Sequence, residues 1–265
     1  MSFFQIYIQG LLVIVAFFSL FWILSVLLKN AGIVDIFWGL GFVLVATFYF
    51  VVTPDISTRK FITMALVVLW GLRLSIHIFL RNLGKPEDYR YREFRKNYGE
   101  KRYWWFSYFQ VFLLQGFLVW LISAPLLAVN YFAVENPFGI TDVFGILIWL
   151  VGFTFETGGD WQLTRFKAIP ANKGKLLQTG FWKYTRHPNY FGDAAVWWGF
   201  AVLSIASGCY LPVLSSLLMT WLIIKVSGVS MLERTMKNTK PGFEDYVKRT
   251  SAFIPWFPKK NERKK

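Results

Sequence analysis

The densest group of chemistry-bearing side chains lies in "FWKYTRHPNYFGD", residues 181–193. Arg186, His187, Asn189, Tyr190 and Asp193 stand together there, at the mouth of a long apolar run. Pro188 suits the first turn of a helix, where its missing N–H is not needed. Asn189 and Asp193 are four positions apart, so they share one helical face. A helix N-terminus flanked by Lys183 and Arg186 is a ready anion site, and their cationic groups suit phosphate oxygens. Asn189 and Asp193 offer hydrogen bonds to an amide or a ribose, and Tyr190 offers a stacking face. That is the chemistry of a site for an anionic, aromatic-bearing cofactor. The plainer reading is a proline-started helix with a basic collar at a membrane surface, and His187 alone suits that reading.

Three further groups invite attention. Asp35, in "NAGIVDIFWGLGF", lies about one turn inside an apolar run, where an ionisable group faces either a pocket or interfacial water. Trp38 shares its face, and Gly39 and Gly41 permit close helix packing. In "WGLRLSIHIFLR", Arg73, His77 and Arg81 follow at i, i+4 and i+8 and form one polar stripe. Snorkelling explains Arg81, whereas Arg73 is deeper and suits a carboxylate partner such as Asp35 or Glu156. In "FETGGDWQLTRFK", Glu156, Asp160 and Lys167 form another stripe. Gly158 and Gly159 let a neighbour approach the backbone closely.

The elements that must position these groups are apolar helices. Of the 265 residues, 55% are apolar and 20% aromatic. Several runs approach the roughly 20 apolar residues that cross a bilayer core. The expected fold class is all-α, an integral membrane bundle forming a single domain. Seven spans are expected, near 3–28, 32–52, 61–80, 108–133, 138–158, 189–207 and 211–231, the fifth running on as a helix to about 166. The first is expected to be retained, because it lacks a basic leader and a small-residue cleavage site.

The net charge of +14 is confined to loops between apolar runs, which fits a cytoplasmic loop bias better than nucleic-acid binding. The loop 81–105 carries eight basic residues and the loop 165–188 six. With seven spans both face the cytoplasm with the C-terminus, and the N-terminus faces out. Residues 133–138 have an acid and no base, as an outer loop can, and "KKNERKK" at 259–265 is a basic tail suited to anionic headgroups. Cys209 is alone, and there are two histidines, so no metal site is expected.

"TGFWKYTRHPNYFGD" resembles the C-terminal signature of the steroid 5α-reductase-like membrane proteins. The resemblance is closest to the bacterial branch catalogued as DUF1295. "VDIFWGLGF", "WGLRL", "PEDYRY", "FETGGDWQL..FK" and the late "LLMTWLIIKVSGVSMLE...GFEDYVKRTSAFIPW" look like that branch, in that order. The Arg-His-Pro-Asn-Tyr core is shared with sterol C14 and C24 reductases. Isoprenylcysteine carboxyl methyltransferases carry a related core with another residue at the Asn position.

The resemblance implies a reductase that passes hydride from NADPH to an activated C=C bond of a lipophilic substrate. It implies substrate-side helices over 1–134 and a cofactor part over 135–258 that faces the cytoplasm, in a bacterial inner membrane. Asn189 and Asp193 match residues that hold the nicotinamide-ribose part, and Asp160 matches a cofactor-binding Asp. Lys167 and Lys175 fall near phosphate-binding positions, the looser match. Arg186, His187 and Tyr190 belong to the common core. Glu233 with Arg234 resembles the pair that closes the pocket, and Tyr246 is a weaker candidate. The family's proton-donating residues do not align, so Asp35 is the best substitute for the acid, with Tyr91 and Arg73 as helpers. Apolar burial would favour a neutral, proton-donating Asp35. Expected partners are the lipophilic substrate and membrane lipids, with neither nucleic acid nor a protein partner. One rival is an S-adenosylmethionine-dependent methyltransferase, in which Lys167 and Lys175 would have no phosphate to meet. The other is a non-enzymatic lipid-binding protein on the same scaffold.

Overall fold

The computed structural model describes residues 1–259 apart from Ala133 and Glu135. The acid expected in the outer loop, Glu135, and residues 260–265 of the basic tail lie outside the described residues. Among the described residues every regular element is a helix, joined by one isolated bridge between Thr185 and Ser251. Six helices are long and apolar enough to cross a membrane: Phe3–Leu27, Ala31–Val52, Thr58–Asn82, Glu100–Tyr131, Ile140–Ala168 and Val213–Thr239. The chain is a multi-pass, all-α membrane protein. The sixth of the seven expected spans, 189–207, is present as a 19-residue helix, Pro188–Ala206, but falls outside those six. Its early turns carry Asn189 and Asp193. Val196, Trp197 and Phe200 are fully buried in the protein, and a sheltered helix needs less apolar surface than a lipid-facing one.

By internal packing the chain forms two compact units, residues 1–138 with 203–215, and residues 139–202 with 216–265. Residues 203–215 return to the first unit, where the Ser215 hydroxyl donates to Leu121 O at 2.9 Å.

In the first unit, α1 (Phe3–Leu27) opens on a capping box between Ser2 and Gln5. Asn30 caps a short turn before α2 (Val34–Val52), and Ser57 caps α3 (Thr58–Asn82). Helices α2 and α3 cross at glycines. A Cβ on Gly39 would lie 2.4 Å from Gly71 O, and one on Gly71 would lie 2.7 Å from Gly39 O, so neither glycine tolerates a side chain. The expected basic loop 81–105 is not a loop throughout. It folds into α4 (Tyr89–Tyr98), capped by Asp88, and into the start of α5 (Glu100–Ser107). Its charges explain the difference: Glu87 accepts from Arg95 and from Ala31 N–H, so the acids of "PEDYRY" tie the basic stretch to the base of α2. A π-turn at Tyr108–Leu113 leads into α6 (Leu114–Ile122) and α7 (Ala124–Tyr131).

In the second unit, α8 (Ile140–Ala168) packs on α9 (Pro188–Ala206) at almost backbone distance. A Cβ on Gly152 would meet Val196 N at 2.5 Å, and one on Gly192 would meet Glu156 N at 2.3 Å. Small residues at both faces permit this approach between membrane helices. The last span, Val213–Thr239, joins this unit from residue 216; it runs through α10 (Val213–Trp221) and a π-turn, Leu222–Ser227, into α11 (Val229–Thr239), and α12 (Phe243–Arg249) closes the unit.

Candidate functional site

In the first unit the chemistry gathers on Asp35. Its Oδ2 accepts from Arg90 Nη2 at 2.7 Å and its Oδ1 from the Tyr91 hydroxyl at 2.6 Å. Gln115 Nε2 donates to the same Tyr91 oxygen at 3.2 Å, from the turn that follows the π-turn. Asp35 sits in the first turn of α2, where a carboxylate suits the helix dipole. Asp88 caps α4 and accepts from Arg90 Nε at 3.1 Å, which holds the guanidinium in place.

Asp35 thus accepts on both oxygens and pairs with Arg90. Its arginine is Arg90, a residue that sequence reasoning passes over between two tyrosines. Arg73 lies on α3, half-buried. Burial pushes the Tyr91 phenol well above its usual pKa, and the Asp35 charge adds to that. Burial alone would lower the Arg90 guanidinium, but Asp35 beside it drives it above its usual value. Burial also raises Asp88, yet the Arg90 hydrogen bonds outweigh it and hold that carboxyl below its usual value.

In the second unit the opening motif is mostly buried. α9 begins at Pro188, as its ring predisposes. Arg186 is 5% exposed and His187 1%. The Arg186 guanidinium reaches Glu233 Oε1 through Nη2 at 2.7 Å and Nε at 2.8 Å. Its Nη1 donates to Val247 O at 3.2 Å and to Thr250 O. His187 Nε2 meets the same Glu233 oxygen at 3.2 Å, and its ring stacks on Tyr190 with centroids 5.7 Å apart. The Arg186 guanidinium, expected to offer itself to an anion, is turned toward the protein. Its donors are engaged by Glu233 and by carbonyls of α12 and the chain that follows.

That C-terminal chain is part of the same construction. Arg186 N donates to Ser251 O at 2.9 Å, the Thr185 hydroxyl to Phe253 O at 2.8 Å, and Trp256 N to Tyr184 O at 2.9 Å. The buried Tyr246 hydroxyl donates to Trp182 O, and burial pushes its pKa up. Tyr246 is thus a strut under the motif. Sequence reasoning missed Thr185 and Trp182, although both lie inside the quoted stretch.

The residues placed to meet a ligand lie one turn on. Asn189 Nδ2 donates to Asp160 Oδ1 at 3.1 Å, which joins the face of Asn189 and Asp193 to the stripe of Glu156, Asp160 and Lys167. Gly159 makes this possible, because a Cβ there would come within 3.2 Å of Asn189 N. Gly158 likewise admits the Phe181 ring, since a Cβ on that glycine would lie 2.3 Å from the ring edge. Asp193 and Tyr190 are half-buried on α9, Lys167 is exposed near the end of α8, and Arg234 is exposed on α11. Lys175 lies apart from that pair, with Lys173, on a surface pocket of about 480 Å³ beside Thr239.

The chain is similar over 94% of its length, at 27% identity, to the uncharacterized protein C594.04c of Schizosaccharomyces pombe, and covers 79% of that protein. It is also 26% identical to the Delta(14)-sterol reductase of Ascobolus immersus over 52% of its own length, which spans 34% of the reductase. No solved structure matches it significantly. The family model described as "Protein of unknown function (DUF1295)" matches residues 21–250, nearly the whole membrane body, and the chain belongs to that family.

Proposed function

We propose that this protein is a membrane reductase that uses NADPH to reduce an activated C=C bond of a lipophilic, steroid- or isoprenoid-like molecule. The observation that carries the reading is the similarity to a Delta(14)-sterol reductase over about half of the chain, 52%. The residues present fit a nicotinamide nucleotide. Asn189 and Asp160 bring an amide and a carboxylate together at a helix start, a set that suits the carboxamide or ribose hydroxyls. Lys173 and Lys175 border a pocket as ammonium groups suited to phosphate. NADPH, when bound, supplies the hydride.

Each remaining residue has a defined task in this reading. Arg186, His187 and Glu233 brace the start of α9, so that Asn189 and Asp193 are held still. Tyr190, Lys167 and Arg234 complete the cofactor side. In the first unit the proton is held at the Tyr91 hydroxyl, which burial keeps protonated at neutral pH. Asp35 and Gln115 orient that hydroxyl, and Arg90 balances the Asp35 charge. Arg73 is assigned as a helper to the same group. The basic loops and the cofactor residues face the cytoplasm of a bacterial inner membrane, with the N-terminus outside.

The test is cofactor binding to the purified protein in detergent, read by NADPH fluorescence. Binding of NADPH in the micromolar range, without S-adenosylmethionine binding, is the expected result. Binding of S-adenosylmethionine alone would make the protein a methyltransferase. Binding of neither would leave a lipid-binding protein.

A further inference from the structure

We propose that a cleft in the first unit, where α1 ends and α5 begins, holds the headgroup of a zwitterionic aminophospholipid. The cleft encloses about 500 Å³, and Val26, Lys29, Arg95, Glu100, Tyr103 and Trp104 are among the residues that line it. Two membrane-spanning helices, Phe3–Leu27 and Glu100–Tyr131, terminate here. Trp22 and Trp104 stack beside it with centroids 6.2 Å apart, and tryptophans are enriched at headgroup level. None of these residues takes part in the proposed reduction.

The strongest pointer is Tyr103. It is 1% exposed, yet its hydroxyl has no hydrogen-bond partner among the described residues. Buried polar groups are nearly always paired, because leaving one unmade is costly. Tyr103 lines the cleft, so a ligand oxygen that enters past its ring would supply the missing partner. The Arg95 guanidinium lies over the Tyr103 ring at 4.6 Å. Its Nε and Nη2 are engaged by Glu87 and Lys29 O, while Nη1 has no partner among the described residues.

Lys29 adds an independent sign. Its φ is 51°, a left-handed conformation. Lys29 N donates to Val26 O and Asn30 N to Ser25 O, the pattern that closes a helix with glycine at this position. The chain carries a lysine there instead, and so sets a cation at the rim of the cleft. Lys29, Arg95 and the Tyr103 hydroxyl together suit a phosphate group. Glu100 brings a carboxylate to the same cleft, which a purely anionic headgroup would meet unfavourably and a primary ammonium would match. The exposed Leu24 and Leu27 of α1 offer apolar surface for the acyl chains.

The experiment is native mass spectrometry of the purified full chain, titrated with phosphatidylethanolamine or phosphatidylglycerol of identical acyl chains. Phosphatidylethanolamine should be retained about tenfold more strongly, the size of one charge-assisted hydrogen bond. Tyr103→Phe and Lys29→Gly should each lower that retention about tenfold. Both variants should fold at least as stably, since one removes an unpaired hydroxyl and the other suits the turn. Glu100→Gln should bring the two lipids level. Equal retention of both lipids by the unaltered protein would overturn the proposal. So would undiminished retention in Tyr103→Phe, which would assign the hydroxyl to a buried water. Displacement of the lipid by free phosphoethanolamine at equal concentration would overturn the lipid as the occupant.

Discussion

Asp35 and Glu233 are built alike but set in different surroundings. Each carboxylate takes an arginine Nη2 at 2.7 Å and a second donor from the residue after that arginine, Tyr91 in one case and His187 in the other. The difference lies in what else the arginine holds. The Arg186 side chain is 6% exposed and also ties two backbone carbonyls, so it is fixed from every side. The Arg90 side chain is 31% exposed and otherwise reaches Asp88, two residues away, and the Tyr91 ring. Identical pair chemistry thus holds its arginine buried in one unit and partly exposed in the other. The exposures of the carboxylates run the other way, 16% for Asp35 and 24% for Glu233, so it is the arginine that sets the two pairs apart.

The contrast is broken most sharply at Arg186. Arg186→Ala should destabilise the protein by about 3–5 kcal/mol, because Glu233 and two carbonyls lose their partner. Thermal unfolding in detergent would register this, and Arg186→Lys should not restore it, because lysine lacks the fork. An Arg186→Ala protein as stable as the parent would remove the strut. Tyr91→Phe should divide its effects differently, costing about 1–3 kcal/mol of stability because Asp35 and Gln115 lose a partner. Reduction of a lipophilic enone probe by NADPH should fall about 100-fold or more, the scale of a lost proton donor. Full activity in that variant would return Tyr91 to a packing role.

Asn189→Ala tests the turn held by the strut. NADPH affinity should fall about tenfold, one hydrogen bond to a polar ligand group, while the fold survives. Unchanged affinity would return the motif to an interface collar. The smallest effect belongs to Asp88. Its folded pKa is depressed by Arg90 despite burial, so its contribution is present above the unfolded value and lost as pH falls through the folded one. Unfolding temperature should therefore decline below about pH 4, the ordinary aspartate range. Asp88→Asn should flatten that slope by a small margin, since the group is partly exposed.

Much of this arrangement could be read in advance. Pro188 as a helix start, the close approach at Gly158 and Gly159, and the shared face of Asn189 and Asp193 follow from rules acting within a few residues. The partners could not. Asp35 is 55 residues from Arg90, and Glu233 is 47 from Arg186. Arg73 offered the same charge to Asp35 from a neighbouring helix, and nothing local separates the two choices. Tyr246 and the chain after it were legible as a late motif, but not as the support under Trp182 and Thr185.

The sequence by itself determined that the chain crosses a membrane as helices, where its polar groups cluster, and which turn of α9 presents Asn189. Apolar run length, helical period and proline geometry are local, and each is decided by neighbours along the chain. Only the tertiary structure decided which carboxylate each arginine meets and how deeply the pair is buried. Donor groups of one type are interchangeable in sequence. Packing sets their distances and the water around them, and those two quantities separate a strut from a site.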